Sequence, residues 1–314
     1  MTGTRIAALG HHQPAKVLTN DDLAALVDTD DEWIRSRVGI RTRHVAGPDE
    51  PVDEMAAHAA AKALASAGLA PADIDLVLVA TSTAIDRSPN TAARVAARLG
   101  MASPATMDLN VVCAGFTHAL ATADHAVRAG SARRALVIGA DKMTEVTDWT
   151  DRTTCVLVGD GAGAAVVEAA PDGVPGISPV VWGSVPEMGH AVRIEGTPPR
   201  FAQEGQTVYR WATTQLPPIA RRVCERAGVT PQDLAAVVLH QANLRIIEPV
   251  AQRIGAVNAV VARDVTESGN TSAASIPMAL SKLVARGDIP SGSPALLFGF
   301  GGNLSYAGQV VRTP

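Results

Sequence analysis

"AGLAPADIDLVLVATS" (67–82) and "AGVTPQDLAAVVLHQA" (227–242) stand at a constant offset of 160 residues and share Ala, Gly, Pro, Asp and Val at five aligned positions. In both, a helix-like segment stops at Gly, a Pro-x-Asp turn follows, and a short apolar run of strand length begins. A looser correspondence joins "CAGFTHAL" (113–120) to "GNTSAASIPMAL" (269–280), where small residues mark the start of a helix. Gly-x-x-Pro-x-Asp is common helix-to-strand punctuation, but several element types recur here in the same order. The reading is an internal duplication, with one half over 1–170 and the other over 171–314.

Working outward, strand-like runs fall at 73–81, 106–112, 134–140, 155–169, 234–240 and 294–300, and helix-like ones at 91–100, 114–130, 217–228 and 272–287. Strands alternating with helices over this length predict an α/β fold with covered sheets. Hydrophobic residues make up 47% and charged residues 18%, the balance of a globular chain. A net charge of −4 with no Lys/Arg run argues against nucleic acid as partner. No uninterrupted apolar stretch approaches the ~18 to 20 residues of a membrane span. The N-terminus lacks a signal-peptide profile, and three cysteines, Cys113, Cys155 and Cys224, are an odd and sparse set. Reduced thiols in the cytoplasm are expected.

Three polar residues stand at element boundaries. Cys113 lies between a strand and a helix, where helix N–H groups favour a thiolate. His240 ends the strand of the second repeat, and Asn270 precedes a helix. Singly, a buried thiol, a hydrogen-bonded histidine and a capping asparagine are ordinary structural features. If the halves are related by a two-fold, the three meet as a nucleophilic set. Cys155, within the 155–169 strand pattern, and Cys224, inside an amphipathic helix, read as core residues. "GDGAGAAVV" (159–167) does not match a dinucleotide loop, which opens a helix, and reads as close backbone packing.

The strings "DLNVVCAGF", "VGDGAGAAV", "HQANLRII", "SGNTSAASIP" and "GFGGNLSYAG" together resemble the β-ketoacyl-acyl-carrier-protein synthase III enzymes of the thiolase superfamily. The resemblance runs from "GTRIAALG" nearly to the C-terminus. It implies a five-layered α-β-α-β-α fold of two similar halves, in a homodimer. It further implies transfer of an acyl group from acyl-CoA to Cys113, then decarboxylative condensation with a malonyl group on acyl carrier protein. His240 and Asn270 would be two uncharged donors for the enolate, and the N–H groups of Cys113 and Gly302 would hold the other oxyanion. Phe300 would keep the pocket apolar. Trp33 and Arg152 would sandwich the CoA adenine, Arg37 would stand near its phosphates, and Asn243 would bind the pantetheine arm. Arg245 and Arg210 would face the acidic carrier, although both also fit a solvated helix face. No metal or further cofactor is implied.

Several positions depart from the family pattern. Ser88 replaces a bulky aromatic that crosses the dimer interface to floor the acyl pocket. Val111 and Val112 are larger than the usual residues, Val38 replaces a Thr, Asn303 replaces a Gly, and 176–201 is shortened and dissimilar. These point to a primer other than acetyl, in fatty acid or polyketide synthesis. The rival reading is an acyltransferase or starter-unit loader that uses Cys113 without condensation.

Overall fold

The computed structural model describes residues 3–86, 88–174 and 176–314. The first half runs β1 (Thr4–His12), β2 (Val17–Thr19), α1 (Asn20–Ala24), α2 (Asp31–Val38), β3 (Thr42–His44), α3 (Val52–Ala67), β4 (Leu76–Ala80), α4 (Thr91–Arg98), β5 (Ala105–Leu109), α5 (Gly115–Arg128), β6 (Arg134–Lys142), α6 (Arg152–Cys155) and β7 (Asp160–Ala169). The second runs β8 (Val181–Gly183), β9 (Val192–Glu195), β10 (Arg200–Gln203), α7 (Gly205–Arg226), β11 (Ala236–Leu239), α8 (Leu244–Ile254), β12 (Val260–Val261), α9 (Val265–Ser268), α10 (Ser275–Arg286), β13 (Pro294–Phe300) and β14 (Tyr306–Arg312).

Two five-stranded sheets form, in the orders β1-β7-β6-β4-β5 and β8-β14-β13-β11-β12. The order, the mix of parallel and antiparallel pairs and the register all repeat. Leu76 pairs with Ala135 in the first sheet, and Ala236 with Ala295, each 160 residues on, in the second. The central strands are apolar throughout because both faces are covered. In β4, Val77 and Val79 pack with α3 and α4, while Leu78 and Ala80 pack with α5 and α10. In β11, Val238 faces α5 and α10, while Val237 and Leu239 face α7 and α8. Five layers follow: α3/α4, sheet, α5/α10, sheet, α7/α8.

The looser sequence correspondence turns out to be as regular as the tight one. A single 3₁₀ turn at Val112–Ala114 leads into α5, and one at Ser272–Ala274 leads into α10. Val112 has φ 48° and Ser272 φ 49°. Positive φ at a β-branched residue is uncommon and marks a backbone held by its surroundings. Both turns are clamped by glycines of the opposite half. A side chain at Gly139 in β6 would overlap the carbonyl oxygen of Ala273, and a Cβ at Gly299 in β13 would lie 3.0 Å from Cα of Ala114.

The structure corrects two expectations about elements. Strand β7 begins only at Asp160; Cys155 ends the short α6 and is fully buried in the core. Asp151 caps α6 by accepting the N–H of Thr153, which turns the chain helical before the strand. Helix α7 begins at Gly205, well before 217, and carries Pro217 and Pro218 inside it. Packing of Val208, Trp211 and Leu216 in the core supports it across the prolines. The glycines of "GDGAGAAVV" pack closely as read: Cβ atoms at Gly161 and Gly163 would meet Met278 and Pro277 of α10.

Gly139→Ala is therefore expected to lower stability by about 3 kcal/mol, the upper range for overpacking. Gly205→Ala, with no atom within 4 Å of the added carbon, should change it by less than about 0.5 kcal/mol. Denaturant unfolding of both variants checks this.

Candidate active site

Cys113 sits in the turn before α5, 6% exposed. Gly301 makes room for it: a Cβ there would lie 2.6 Å from Cβ of Cys113 and 2.9 Å from its sulfur. The backbone N–H groups of Gly302 and of Cys113 itself favour the thiolate. They do not prevail. Burial pushes the thiol up to about 12, and the charge of Asp141 adds to the rise. Removal of solvent at this turn opposes the pull of the helix start and holds the thiol above its ordinary value.

His240 follows β11 and is buried, its N–H donating to the carbonyl of Phe298 at 2.9 Å. Its Nδ1 lies 2.8 Å from Oγ of Ser275. That oxygen also accepts the N–H of Gln241 at 3.3 Å. When the Ser275 hydroxyl donates to Nδ1, the imidazole carries its proton on Nε2. Burial lowers the ring to about 3, so it is neutral at working pH. The Phe300 ring stands edge-on to it, centroids 5.4 Å apart.

Asn270 is fixed by its backbone, donating to the carbonyl of Leu157 at 2.7 Å and accepting from Gly159 at 3.1 Å. Its Oδ1 accepts the N–H of Ser272 at 2.9 Å, which leaves Nδ2 as donor. Ser272 in turn lies beside Cys113. Phe300 thus touches His240, the next two residues touch Cys113, and the Asn270–Ser272 turn closes the ring around one small space at the end of β13.

Outside it lies a cavity of about 590 Å³ lined by Arg37, Gln203, Tyr209, Arg210, Asn243 and Arg245, among others. Asn243 caps α8 with Oδ1, accepting the N–H of Ile246 at 3.1 Å, and keeps its NH₂ for the cavity. Trp33 and Arg37 share a face of α2. Arg152 lies directly over the Trp33 ring at 4.9 Å and donates to the carbonyl of Asp28 at 2.6 Å, so it occupies the slot that a base would take. Ser88 is exposed on the loop after β4. From that loop Ala84 and Ile85 line a second cavity, of about 660 Å³, together with Val112, Val146, Val192, Ile194 and Asn303. Asn303 has φ 58°, a conformation that Asn tolerates where Gly is usual.

Sequence reasoning passed over Ser275, Ser272 and Asp141. The serines lay within a quoted string but carried no chemistry without their neighbours. Asp141 reads as one more charged residue at a strand end.

Two models match, "3-Oxoacyl-[acyl-carrier-protein (ACP)] synthase III" over residues 107–186 and its C-terminal counterpart over 224–313. A β-ketoacyl-[acyl-carrier-protein] synthase III of Streptomyces avermitilis is 85% identical, with all of both chains covered. The chain belongs to the 3-oxoacyl-[acyl-carrier-protein] synthase III family. One from Streptomyces coelicolor is 82% identical over 99% of each chain. Among solved structures, the priming β-ketosynthase of the R1128 polyketide pathway superposes with a TM-score of 0.97 at 41% identity, covering 100% of this chain and 97% of that one. The synthase III of Aquifex aeolicus gives 0.94 at 37%, covering 99% and 100%. The thiolase-like fold and a condensing acyltransferase activity are thereby established for this synthase III family member. Among the described residues no helix is long and apolar enough to cross a membrane.

Three outcomes follow from the burial and bonding of the histidine. The His240 ring is lowered from 6.5 to about 3, so its NMR signals should not titrate between about pH 5 and 8. By the same sign, it withdraws stability as pH falls from 6.5 toward 3, where the unfolded chain binds a proton that the fold excludes. Ser275→Ala should lower kcat for malonyl decarboxylation about tenfold, the worth of one hydrogen bond, without raising KM. Ser275→Thr, which keeps the hydroxyl, should restore it.

Proposed function

We propose that this synthase III accepts an acyl group from acyl-CoA on Cys113 and then joins it to the two-carbon unit of malonyl-carrier protein, using His240 and Asn270 as the enolate donors. The observation that carries this reading is the pair of uncharged donors, Nε2 of His240 and Nδ2 of Asn270, left free by bonds to Ser275 and Ser272. Decarboxylation places negative charge on a thioester oxygen, and a neutral donor strengthens its bond as that charge grows. Decarboxylation also supplies the electrons for the new bond, so the reaction calls for no metal or redox cofactor. Phe300 keeps water and cations from the malonyl carboxylate. Gly302 and Cys113 offer N–H groups for the second oxyanion. Simple acyl transfer would leave the enolate pair without a task.

The 590 Å³ cavity is the entry for the pantetheine arm, with Asn243 as a bonding partner, and Arg37, Arg210 and Arg245 at its rim suit phosphate and an acidic carrier. For adenine to lie between Trp33 and Arg152, the Arg152 guanidinium has to swing away and stack on the far side of the base. The 660 Å³ cavity is lined by Val112, the chain neighbour of Cys113, and by Asn303, and its volume far exceeds what an acetyl group fills. Together with the serine at 88, this supports a longer or branched primer. Three unpaired cysteines fit a reducing cytoplasm.

A homodimer is supported by the free edge of the first sheet. Strand β5 is mostly exposed, and Met107 is 45% exposed. An open edge of this kind pairs readily with a second copy. Bonds from Asn90 to Thr106 and from Thr91 and Ala92 to Asp108 tie the loop carrying Ser88 to that edge, so pairing would bring it to the neighbour.

His240→Ala and Asn270→Ala should each retain acylation of Cys113 but lower release of labelled CO₂ from malonyl-carrier protein about 10²- to 10³-fold. Unchanged CO₂ release would defeat the assignment. Intact-protein mass spectrometry after mixing acyl-CoAs should show branched or medium-chain adducts on Cys113 ahead of acetyl. Met107→Glu should shift the mass in solution from dimer to monomer, read by light scattering.

A further inference from the structure

Arg43 stands in the middle of β3 and is fully buried, an uncommon place for so large a cation. Its Nη1 donates to Oδ1 of Asn20 at 2.8 Å and its Nη2 to the carbonyl of Val156 at 2.8 Å. Both acceptors are uncharged. Taking a guanidinium out of water against neutral partners costs free energy that an apolar side chain of similar size would not. What the guanidinium supplies is a rigid fork, with several N–H donors in one plane that hold separate segments at fixed spacing.

Each arm of the fork reaches a different part of the site. Asn20, itself buried, donates from Nδ2 to Oδ1 of Asp31 at 2.8 Å and to the carbonyl of Ile40 at 2.9 Å. Asp31 begins α2 and Ile40 follows its terminal Gly39, so one carboxamide grips both ends of the helix that carries Trp33 and Arg37. Val156 caps the end of α6, which carries Arg152. The next carbonyl along, that of Leu157, accepts the N–H of Asn270 at 2.7 Å, and Gly159 donates back to the Asn270 carbonyl at 3.1 Å. The stem of Arg43 runs beneath the same turn: a Cβ at Gly159 would lie 3.2 Å from Cβ of Arg43, and one at Gly269 3.1 Å. Beside it, Arg41 donates its N–H to the carbonyl of Thr266 at 2.7 Å, and Thr42 its hydroxyl to that of Glu267 at 3.0 Å. The chain around Arg43 thus braces Asn270 from behind.

We propose that Arg43 is a positioning residue that holds the Asn270 carboxamide and the two sides of the CoA clamp in one register, with Asn20 as its arm to α2. The inference rests on the reading of Asn270 as an enolate donor and of Trp33 and Arg152 as the adenine clamp. The two arms serve different steps. The arm to Val156 fixes the segment to which Asn270 is bonded, and so the place where its Nδ2 meets the enolate. A misplacement of about 1 Å in such a group costs up to about 10²-fold in rate. The arm through Asn20 fixes α2 and matters to acyl-CoA, which brings an adenine; malonyl-carrier protein brings none.

Two variants separate the arms. Arg43→Lys keeps the charge and loses the fork. Counted per Cys113 that takes an acyl adduct, it should lower CO₂ release from malonyl-carrier protein about 10- to 10²-fold. It should also raise the acyl-CoA concentration that half-saturates single-turnover acylation about fivefold, the worth of one hydrogen bond. Asn20→Asp still accepts from Arg43 but gives up the donors to Asp31 and Ile40. It should raise that acyl-CoA concentration by a similar factor and release CO₂ at the wild-type rate. A merely structural role would reduce the number of Cys113 sites that acylate and leave the rates per site unchanged. Wild-type rates per site in Arg43→Lys therefore overturn the proposal. So does Asn20→Asp with a wild-type dependence on acyl-CoA, or with CO₂ release as slow as that of Arg43→Lys; the first of these decides even where Arg43→Lys does not fold. Wild-type CO₂ release by Asn270→Ala overturns the enolate-donor reading and the positioning role with it.

Discussion

Gly139 in β6 and Gly299 in β13 stand 160 residues apart and do the same physical work: each presents bare backbone to the first turn of a helix from the other half. A strand and a helix start approach this closely only where no side chain intervenes. The contact sets the separation of the two sheets, and it also sets what lies just beyond. Two residues further along the strands stand Asp141 and Gly301, one against Ala273 and the other against Cys113. The active site therefore lies on the seam between the two buried helix starts, where central strands hold each turn in place. Precision here comes from packed backbone, which has few ways to relax.

The polar groups on that seam are all uncharged or multiply hydrogen-bonded, as burial demands. A cationic donor in place of His240 would bind the malonyl carboxylate and hold back loss of CO₂. A neutral imidazole or carboxamide binds the ground state weakly and the enolate strongly, and differential binding of that kind accelerates a step. The enclosure that keeps His240 neutral also pushes the Cys113 thiol up. A dry pocket that suits decarboxylation hinders thiolate formation, and the N–H groups of Gly302 and Cys113 work against that hindrance.

Much of the architecture was legible because duplication leaves a period, and because strands buried on both faces read as unbroken apolar runs. β13 was read to the residue, since "PALLFGF" is bounded by turns. The start of α7 was missed because its two prolines suggest a fresh helix at 217, whereas packing of Trp211 and Leu216 carries it through. Cys113, His240 and Asn270 stood out as polar residues at element ends. Ser275 and Ser272 did not, since a serine beginning a helix usually caps it, and only the fold reveals that one faces an imidazole and the other a thiol. The burial that opposes ionisation of Cys113 was hidden for a related reason: helix position is visible in sequence, and depth of burial is not.

The duplication also explains why the site is single. Asn110 and Asn270 are counterparts, as are Val112 and Ser272, which share the same strained φ. Ala80 corresponds to His240, and Ala273 to Cys113. One half carries the nucleophile and has Ala80 where the imidazole would be; the other carries the imidazole and has Ala273 where the sulfur would be. Each turn then took on the task its position allowed. Ser272 serves Asn270 with its N–H, while Val112 packs against Gly302, where a Cβ would meet its Cγ2 at 2.6 Å. Two equal sites would have needed two sulfurs and two histidines facing across one narrow seam, with a thiol where the Ala273 methyl now packs in the core. The asymmetry leaves one complete set of groups, assembled from both halves, in a space that has room for only one reacting thioester.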